Sequence, residues 1–260
     1  MSKHRRVWNA NTYERYIREG RGRGSGSDYK PWIRVQDFAS QGVVSRVRGM
    51  TTGRVHHLMS NNELAYFYIL DFSDNVTDIR EQYPLSDLER ALKIAATADI
   101  KYPRDKVSGY PYVLTCDFMV TTVFGMKART VKLSSELDNP RVLEKLEIER
   151  RYWLEQGIDW KIVTEREISY QKAKNIEWLY TSFYFDVEGI PYKLKLAKAM
   201  MLKLLKENGY SIVGAALVVE REFLLDAGTG LQLFKQLALN KAIDINLNEP
   251  LNLNAKGIVA

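Results

Sequence analysis

Asp117 and Lys132 are the residues whose types and spacing first suggest chemistry. Both lie in β-prone segments, over 112–123 and 126–134, joined at Phe124-Gly125, a two-residue connection with glycine where a tight hairpin needs positive φ. That turn predicts Asp117 opposite Lys132, with Cβ atoms about 5 Å apart. Alternation agrees: Thr115, Asp117, Thr130, Lys132 and Ser134 share a polar face, while Cys116, Phe118, Val120, Val131 and Leu133 share an apolar one. A carboxylate beside a fixed ammonium suits phosphodiester hydrolysis. A hard cation such as Mg²⁺ takes one or two carboxylates plus waters and substrate oxygens, and a lysine stabilises charge developing on a phosphate. Glu63 is the candidate for a second carboxylate. Glu149 is a further one, because it borders the stripe of Val142, Leu146 and Trp153 where a helix should meet the sheet, and a carboxylate there needs a partner such as a metal or Lys132. Plainer readings stand beside these. Asp117 and Lys132 also suit a cross-strand ion pair worth under about 1 kcal/mol, and Glu63, three residues after Ser60, also completes a capping box.

Elements that would position these groups follow from periodicity and punctuation. Ser60-Asn61-Asn62-Glu63 opens an amphipathic run and predicts a helix over 61–72. A strand follows over 76–85, a helix over 86–98 and a loop with two prolines over 101–111. Asn139-Pro140, a cap with proline at the first helical position, opens a helix to about 156 that Gly157 ends, and 159–164 is a short apolar strand. Strand, helix and strand over 126–164 imply a parallel pair covered by a crossover helix. Ahead of the site, Tyr13 starts a short helix to Glu19, and Gly20-Arg21-Gly22-Arg23-Gly24-Ser25-Gly26-Ser27 reads as a flexible loop. It lacks the preceding strand and following Lys-Ser/Thr of a nucleotide loop.

Beyond residue 165 helices dominate, over 167–180, 192–207, 213–226 and 230–241. A small hairpin of 243–248 and 251–254, turning at Glu249-Pro250, would close the chain in winged-helix order. The helix from Tyr192 carries Lys193, Lys195, Lys198, Lys203 and Lys206 around an apolar stripe, which reads as a solvated face or as a grip on DNA. The candidate recognition helix, 230–240, holds Lys235 as its only charge, which suits a protein partner better than a DNA groove.

A chain of 260 residues exceeds the usual single-domain size, so two domains are expected, 1–170 and 171–260. Its 45% hydrophobic and 27% charged content is that of a globular protein. The longest apolar run, 212–219, is too short to span a bilayer and no apolar stretch follows the N-terminal charges, so a cytoplasmic protein without membrane contact is expected. A single cysteine, Cys116, excludes an intrachain disulfide and a Cys-based zinc cluster, and the adjacent His56 and His57 are poor candidates for a closed metal site. Residues 1–60 hold twelve Lys and Arg against four acids, a net +8 that leaves −2 for the remaining 200 residues. A basic, largely irregular arm suits a phosphate backbone and equally suits a solvated tail.

Several strings are unusual enough to compare with a known family. Gly20-Arg21-Gly22-Arg23-Gly24 with Asp28-Tyr29-Lys30-Pro31-Trp32, Thr52-Gly53-Arg54-Val55-His56-His57-Leu58, Asn62-Glu63-Leu64-Ala65 and Asp78-Ile79-Arg80-Glu81-Gln82 closely resemble the TnsA family. So do Leu143-Glu144-Lys145-Leu146-Glu147-Ile148-Glu149-Arg150-Arg151-Tyr152-Trp153 and Asn175-Ile176-Glu177-Trp178-Leu179-Tyr180; the likeness spans roughly residues 18–180 and fades beyond.

The resemblance implies an α/β fold, a restriction-endonuclease-like mixed sheet of the PD-(D/E)xK type followed by a smaller winged-helix domain. It implies a Mg²⁺-dependent endodeoxyribonuclease of a heteromeric transposase, using one or two ions for which Mn²⁺ can substitute, that cuts the 5′ ends of the transposon on the non-transferred strand. Implied partners are transposon-end DNA, an RNase-H-like transposase subunit (TnsB) and an AAA+ ATPase regulator (TnsC) docking through the C-terminal domain. By motif, Glu63 and Asp117 match the metal carboxylates, Lys132 the catalytic lysine and Glu149 an additional acid. Arg21, Arg23, Arg54, His56 and His57 are the DNA-binding candidates. One departure stands out: two residues before the lysine, where the motif has Glu, Asp or Gln, this chain has Thr130. Its hydroxyl is a weaker metal ligand than a carboxylate or amide oxygen, so Thr130 is expected to reach the metal through water, which leaves the Val131 carbonyl as the direct oxygen donor. A stand-alone nuclease for restriction or repair, or an inactive DNA-bound adaptor, are the competing readings.

Overall fold

The computed structural model describes residues 7–37, 43–185, 191–207 and 209–256, so Lys3, Arg5 and Arg6 of the basic stretch lie outside it. The chain divides into two compact units, Met1–Ile168 and Ser169–Ala260. Among the described residues the fold is mixed α/β, with a four-stranded mixed sheet, a two-stranded one and eight α-helices.

In the first unit the main sheet runs β3 (Val76–Pro84), β4 (Thr115–Thr122), β5 (Gly125–Val131) and β6 (Asp159–Val163). The first three pair antiparallel, and β6 joins β5 in parallel after the crossover helix α4 (Pro140–Leu154). Asn139 caps α4 through its side chain and Pro140 sets the first turn, as that dipeptide predicts. Helix α3 (Leu88–Thr97) and α4 cover one face of the sheet. Ala91, Ile94 and Ala95 of α3 pack with Cys116, Met119 and Ala128 of the strands and with Ile148, Tyr152 and Trp153 of α4. On the opposite face α2 (Asn61–Asp71) lays Tyr66 against Phe118. Strands β1 (Ser45–Arg48) and β2 (Val55–Leu58), which periodicity does not reveal, form a separate antiparallel pair.

The β4–β5 hairpin differs from expectation by two residues. Phe118 pairs with Arg129, Val120 with Lys127 and Thr122 with Gly125, so the turn is Val123-Phe124 and Gly125 (φ +115°) opens β5. The Thr122 hydroxyl explains the placement: it donates to the Gly125 carbonyl and accepts from Phe124 N, closing the turn one residue early. A two-residue change preserves the faces, so Asp117 and Lys132 stay on one side as diagonal neighbours instead of direct partners.

Over its described residues, the basic arm expected to be largely irregular is folded. Tyr16 of α1 (Ala10–Arg18) and Trp32 bury themselves with Val113, and Trp8 Nε1 donates to the Pro111 carbonyl at 2.8 Å. The glycine-rich loop is a built turn, where Gly22 N donates to Lys30 O and Lys30 N to Arg23 O. Gly22 (φ +73°) lies so close to Pro84 that a Cβ would come within 2.4 Å of its ring.

The second unit packs α5 (Tyr170–Tyr180), α6 (Pro191–Lys206), α7 (Ile212–Glu222) and α8 (Thr229–Leu239). On α6, Leu194, Ala197, Met201 and Leu205 are buried and Lys195, Lys203 and Lys206 exposed, a solvated basic face. Helix α8 is largely buried and so is Lys235, whose Nζ donates to Thr181 Oγ1 at 2.8 Å and lies 4.2 Å from the Trp178 ring centre. The expected closing hairpin is absent from the described residues: no ladder joins 243–248 to 251–254. Asn246 and Asn252 accept from the backbone N–H two residues on, and Asn175 Nδ2 donates to the carbonyls of Leu247 and Glu249. These side chains take backbone groups a second strand would need.

Candidate active site

Glu63 enters from the first turn of α2. Its N–H donates to Ser60 Oγ, the Ser60 hydroxyl donates back to Oε1, and Met59 N donates to Oε2 at 2.9 Å. Ser60 therefore caps the helix, but the expected capping box is not closed, since the Glu63 carboxylate accepts from Met59 N and not from Ser60 N; the cap orients the carboxylate rather than using it up. Glu63 is buried, and Gln82 Nε2 of β3 reaches both its Oε2, at 3.5 Å, and Asp117 Oδ1, at 3.4 Å. Burial first, and then the Asp117 charge, push the Glu63 carboxyl up to about 8.

Asp117 sits where the β4–β5 ladder ends. Its Oδ2 accepts from Val131 N at 2.7 Å and from Lys132 Nζ at 3.4 Å. The same ammonium donates to the Val131 carbonyl at 2.9 Å. Burial alone would lower the Lys132 pKa, but Asp117, Glu149 and Glu63 around it outweigh that and raise it. Lys132 therefore carries its proton through the neutral range.

Glu149 approaches from α4. It is 5% exposed, and its Oε1 accepts from the Thr130 hydroxyl and from Trp160 Nε1, the latter at 2.8 Å. Burial pushes this carboxyl up to about 8 against the pull of those two bonds, with the Asp117 charge adding to the rise. The predicted carboxylate partner thus turns out to be a threonine and a tryptophan, with Lys132 acting on it through space.

Of the five basic candidates outside this cluster, four are turned inward. The Arg21 guanidinium pairs with Asp37 and Glu19 and lies over the Tyr16 ring. Arg54 pairs with Glu81, and His56 bridges Glu81 and Thr52 with 0% exposure. His57 is half-buried and accepts from Val35 N at its Nδ1. Arg23 alone of the five is exposed, beside an exposed Arg18 in a cleft of about 610 Å³ that Pro84 and Val113 also line. Glu81 is fully buried, and despite that burial Arg54 and His56 hold its carboxyl well below the usual range. Through Arg54, His56 and the His57 N–H it ties β2, and so the chain leading into Glu63, to β3.

Among the described residues no three His, Cys, Asp or Glu side chains gather closely enough to hold a metal by themselves. The oxygen set of Glu63, Asp117 and the Val131 carbonyl still fits a hard divalent cation, which takes few protein ligands and completes its shell with water and substrate. Burial and the Asp117 charge both raise the proton affinity of Glu63, which marks a place short of positive charge. Gln82 and Trp160 have no role in the sequence reading. Gln82 stood inside a familiar string, but only the fold puts its amide between two acids distant in the chain.

A family model described as TnsA-like endonuclease N terminal matches residues 73–165, and one described as TnsA endonuclease C terminal matches residues 167–247. The Escherichia coli protein "Transposon Tn7 transposition protein TnsA" is 37% identical over 244 residues, 92% of this chain and 87% of that protein. The chain belongs to the TnsA family. Membership makes it a nuclease of the transposase-endonuclease kind. The N-terminal match takes in Asp117, Lys132 and Glu149, whereas Glu63 precedes it. No helix among the described residues is long and apolar enough to cross a membrane.

Proposed function

We propose that this chain cuts DNA at the 5′ ends of a transposon, on the non-transferred strand, by divalent-metal-dependent hydrolysis at Glu63, Asp117 and Lys132. The observation that carries the reading is the convergence of two buried carboxylates from separate elements and one lysine ammonium on a single spot. Glu63, Asp117 and the Val131 carbonyl would hold the ion, Mg²⁺ by its preference for hard oxygens, with Mn²⁺ able to substitute. When bound, the ion supplies charge neutralisation of the phosphate and an acidified water. Lys132 places its ammonium beside Asp117, where it stabilises charge building on a phosphate oxygen. Thr130 serves as the prop for Glu149, and Glu149 as a further acid beside the scissile group.

The DNA path in this reading runs over the cleft that holds Arg18 and Arg23. Pro84 at its edge pairs with Thr115, two residues beyond Gln82 and Asp117 in their strands, which sets the cleft next to the site. The second unit would dock a protein partner such as the AAA+ regulator, because α8 buries its one lysine and offers no cation to a groove. The remaining partner is an RNase-H-like transposase that cuts the other strand.

The test incubates the chain, its transposase partner and end-containing DNA with Mg²⁺ and maps nicks on each strand. Nicks confined to the strand opposite the transferred one, lost in Lys132→Ala while DNA binding stays, support the reading. Full activity of Lys132→Ala, or equal nicking of both strands by the chain alone, overturns it.

A further inference from the structure

Gln82 departs from its strand. It lies within β3, but its φ is +49°, a left-handed conformation that side-chain-bearing residues seldom adopt. The ladder with β4 runs through Glu81 with Phe118 and resumes at Tyr83 with Cys116, stepping over Gln82 and Asp117. Its backbone carbonyl turns aside to accept from Trp32 N at 3.3 Å. The side chain is 4% exposed and every polar atom of it is engaged with the site. Thr115 Oγ1 donates to Oε1 at 3.2 Å, and Nε2 faces Glu63 and Asp117. That orientation gives each of the two acids an N–H to accept from.

We propose that Gln82 is a positioning residue, whose amide N–H groups set the gap between Glu63 and Asp117 and hold both carboxylates ready for a divalent cation. This rests on the metal-dependent reading above. With nothing between them, the two buried acids would have no partner to fix their spacing. A neutral donor satisfies both without adding a charge that would exclude the cation, as an ammonium would. The left-handed backbone carries the amide into the gap, where a regular strand residue would point to one face of the sheet.

Two variants separate this role from simple packing. Gln82→Met keeps length and burial and removes the donors; Gln82→Gly accepts the backbone angle and removes the side chain. Mn²⁺ binding is measured by calorimetry on the full chain without DNA, alongside circular dichroism and DNA affinity. Outer-shell partners of metal ligands are typically worth roughly 10- to 100-fold in metal affinity. Both variants should weaken Mn²⁺ by that factor while folding and DNA affinity stay near wild type. Gln82→Glu, which crowds a third carboxylate into the gap, should instead enlarge the rise in Tm that Mn²⁺ produces. If wild type binds Mn²⁺ and Gln82→Met binds it equally well, or if Met and Glu variants lower Tm alike with and without the ion, the positioning role is wrong. If wild type itself binds no Mn²⁺, the metal-dependent reading fails first.

Discussion

Thr130 of β5 donates its hydroxyl hydrogen to the Glu149 carboxyl of α4, joining the third strand of the sheet to the crossover helix. The strand supplies a short hydroxyl and the crossover helix reaches over with the carboxyl. Thr130→Val removes that donor and leaves a buried carboxyl leaning on Trp160 alone, a loss of about 1–3 kcal/mol. Chemical denaturation should show the loss, and the pH at which nicking reaches half its maximum should move upward, because the lost bond held the Glu149 pKa down.

Glu63 and Glu149 both titrate near 8 in the folded chain, against about 4.3 when unfolded. Between those values the folded state binds more protons than the unfolded one, so stability without metal falls as pH rises through that window. Thermal melts at pH 6 and pH 8 should therefore show a lower Tm at pH 8. Added Mg²⁺ should restore more at pH 8, where the carboxyls are easier to ionise. A flat or rising metal-free Tm across that range would contradict the assignment.

Arg54 is a structural cation, so Arg54→Met should unsettle the fold rather than DNA binding. Removing it leaves Glu81 buried and short of its main partner, a change worth about 3–5 kcal/mol. For a unit of this size that lowers Tm by roughly 10 °C. Glu81 adds an acid limb: its folded pKa is depressed, so its contribution is complete above about 4.3 and is lost as pH falls below that value.

Arg18 and Arg23 are the complementary case. Replacing both with alanine should leave Tm unchanged and weaken DNA binding uniformly across sequences. The slope of log affinity against log salt should shrink by about two, near 0.9 for each phosphate that the protein no longer neutralises. Arg21→Ala, by contrast, should lower Tm, because it strands Asp37.

Local signals in the sequence were legible where one residue type settles the backbone. Asn139-Pro140 marked the start of α4 and Ser60 that of α2, and the crossover over 126–164 followed from strand, helix and strand. The hairpin register was not legible, because the Thr122 hydroxyl decides the turn and glycine alone points one residue too far. Nor were β1 and β2, whose four-residue strands alternate too briefly to show a period, with His56 buried by pairing with Glu81 far along the chain. The asparagines at 246 and 252 hid the absence of a closing hairpin, since their side-chain bonds look the same as turn signals from sequence alone. Around Glu63, Asp117 and Lys132 the residue types were readable. Gln82 and Trp160 were not, because their roles depend on a backbone angle and on a helix crossing that only three dimensions contain.

The turn at Val123-Phe124 lies at the far end of β4 from Asp117, six residues away and about 20 Å along an extended strand. Phe124 is 79% exposed there. A dye attached at that tip would travel with the strands yet stay clear of the carboxylates, giving a reporter of what binds this unit without touching Asp117.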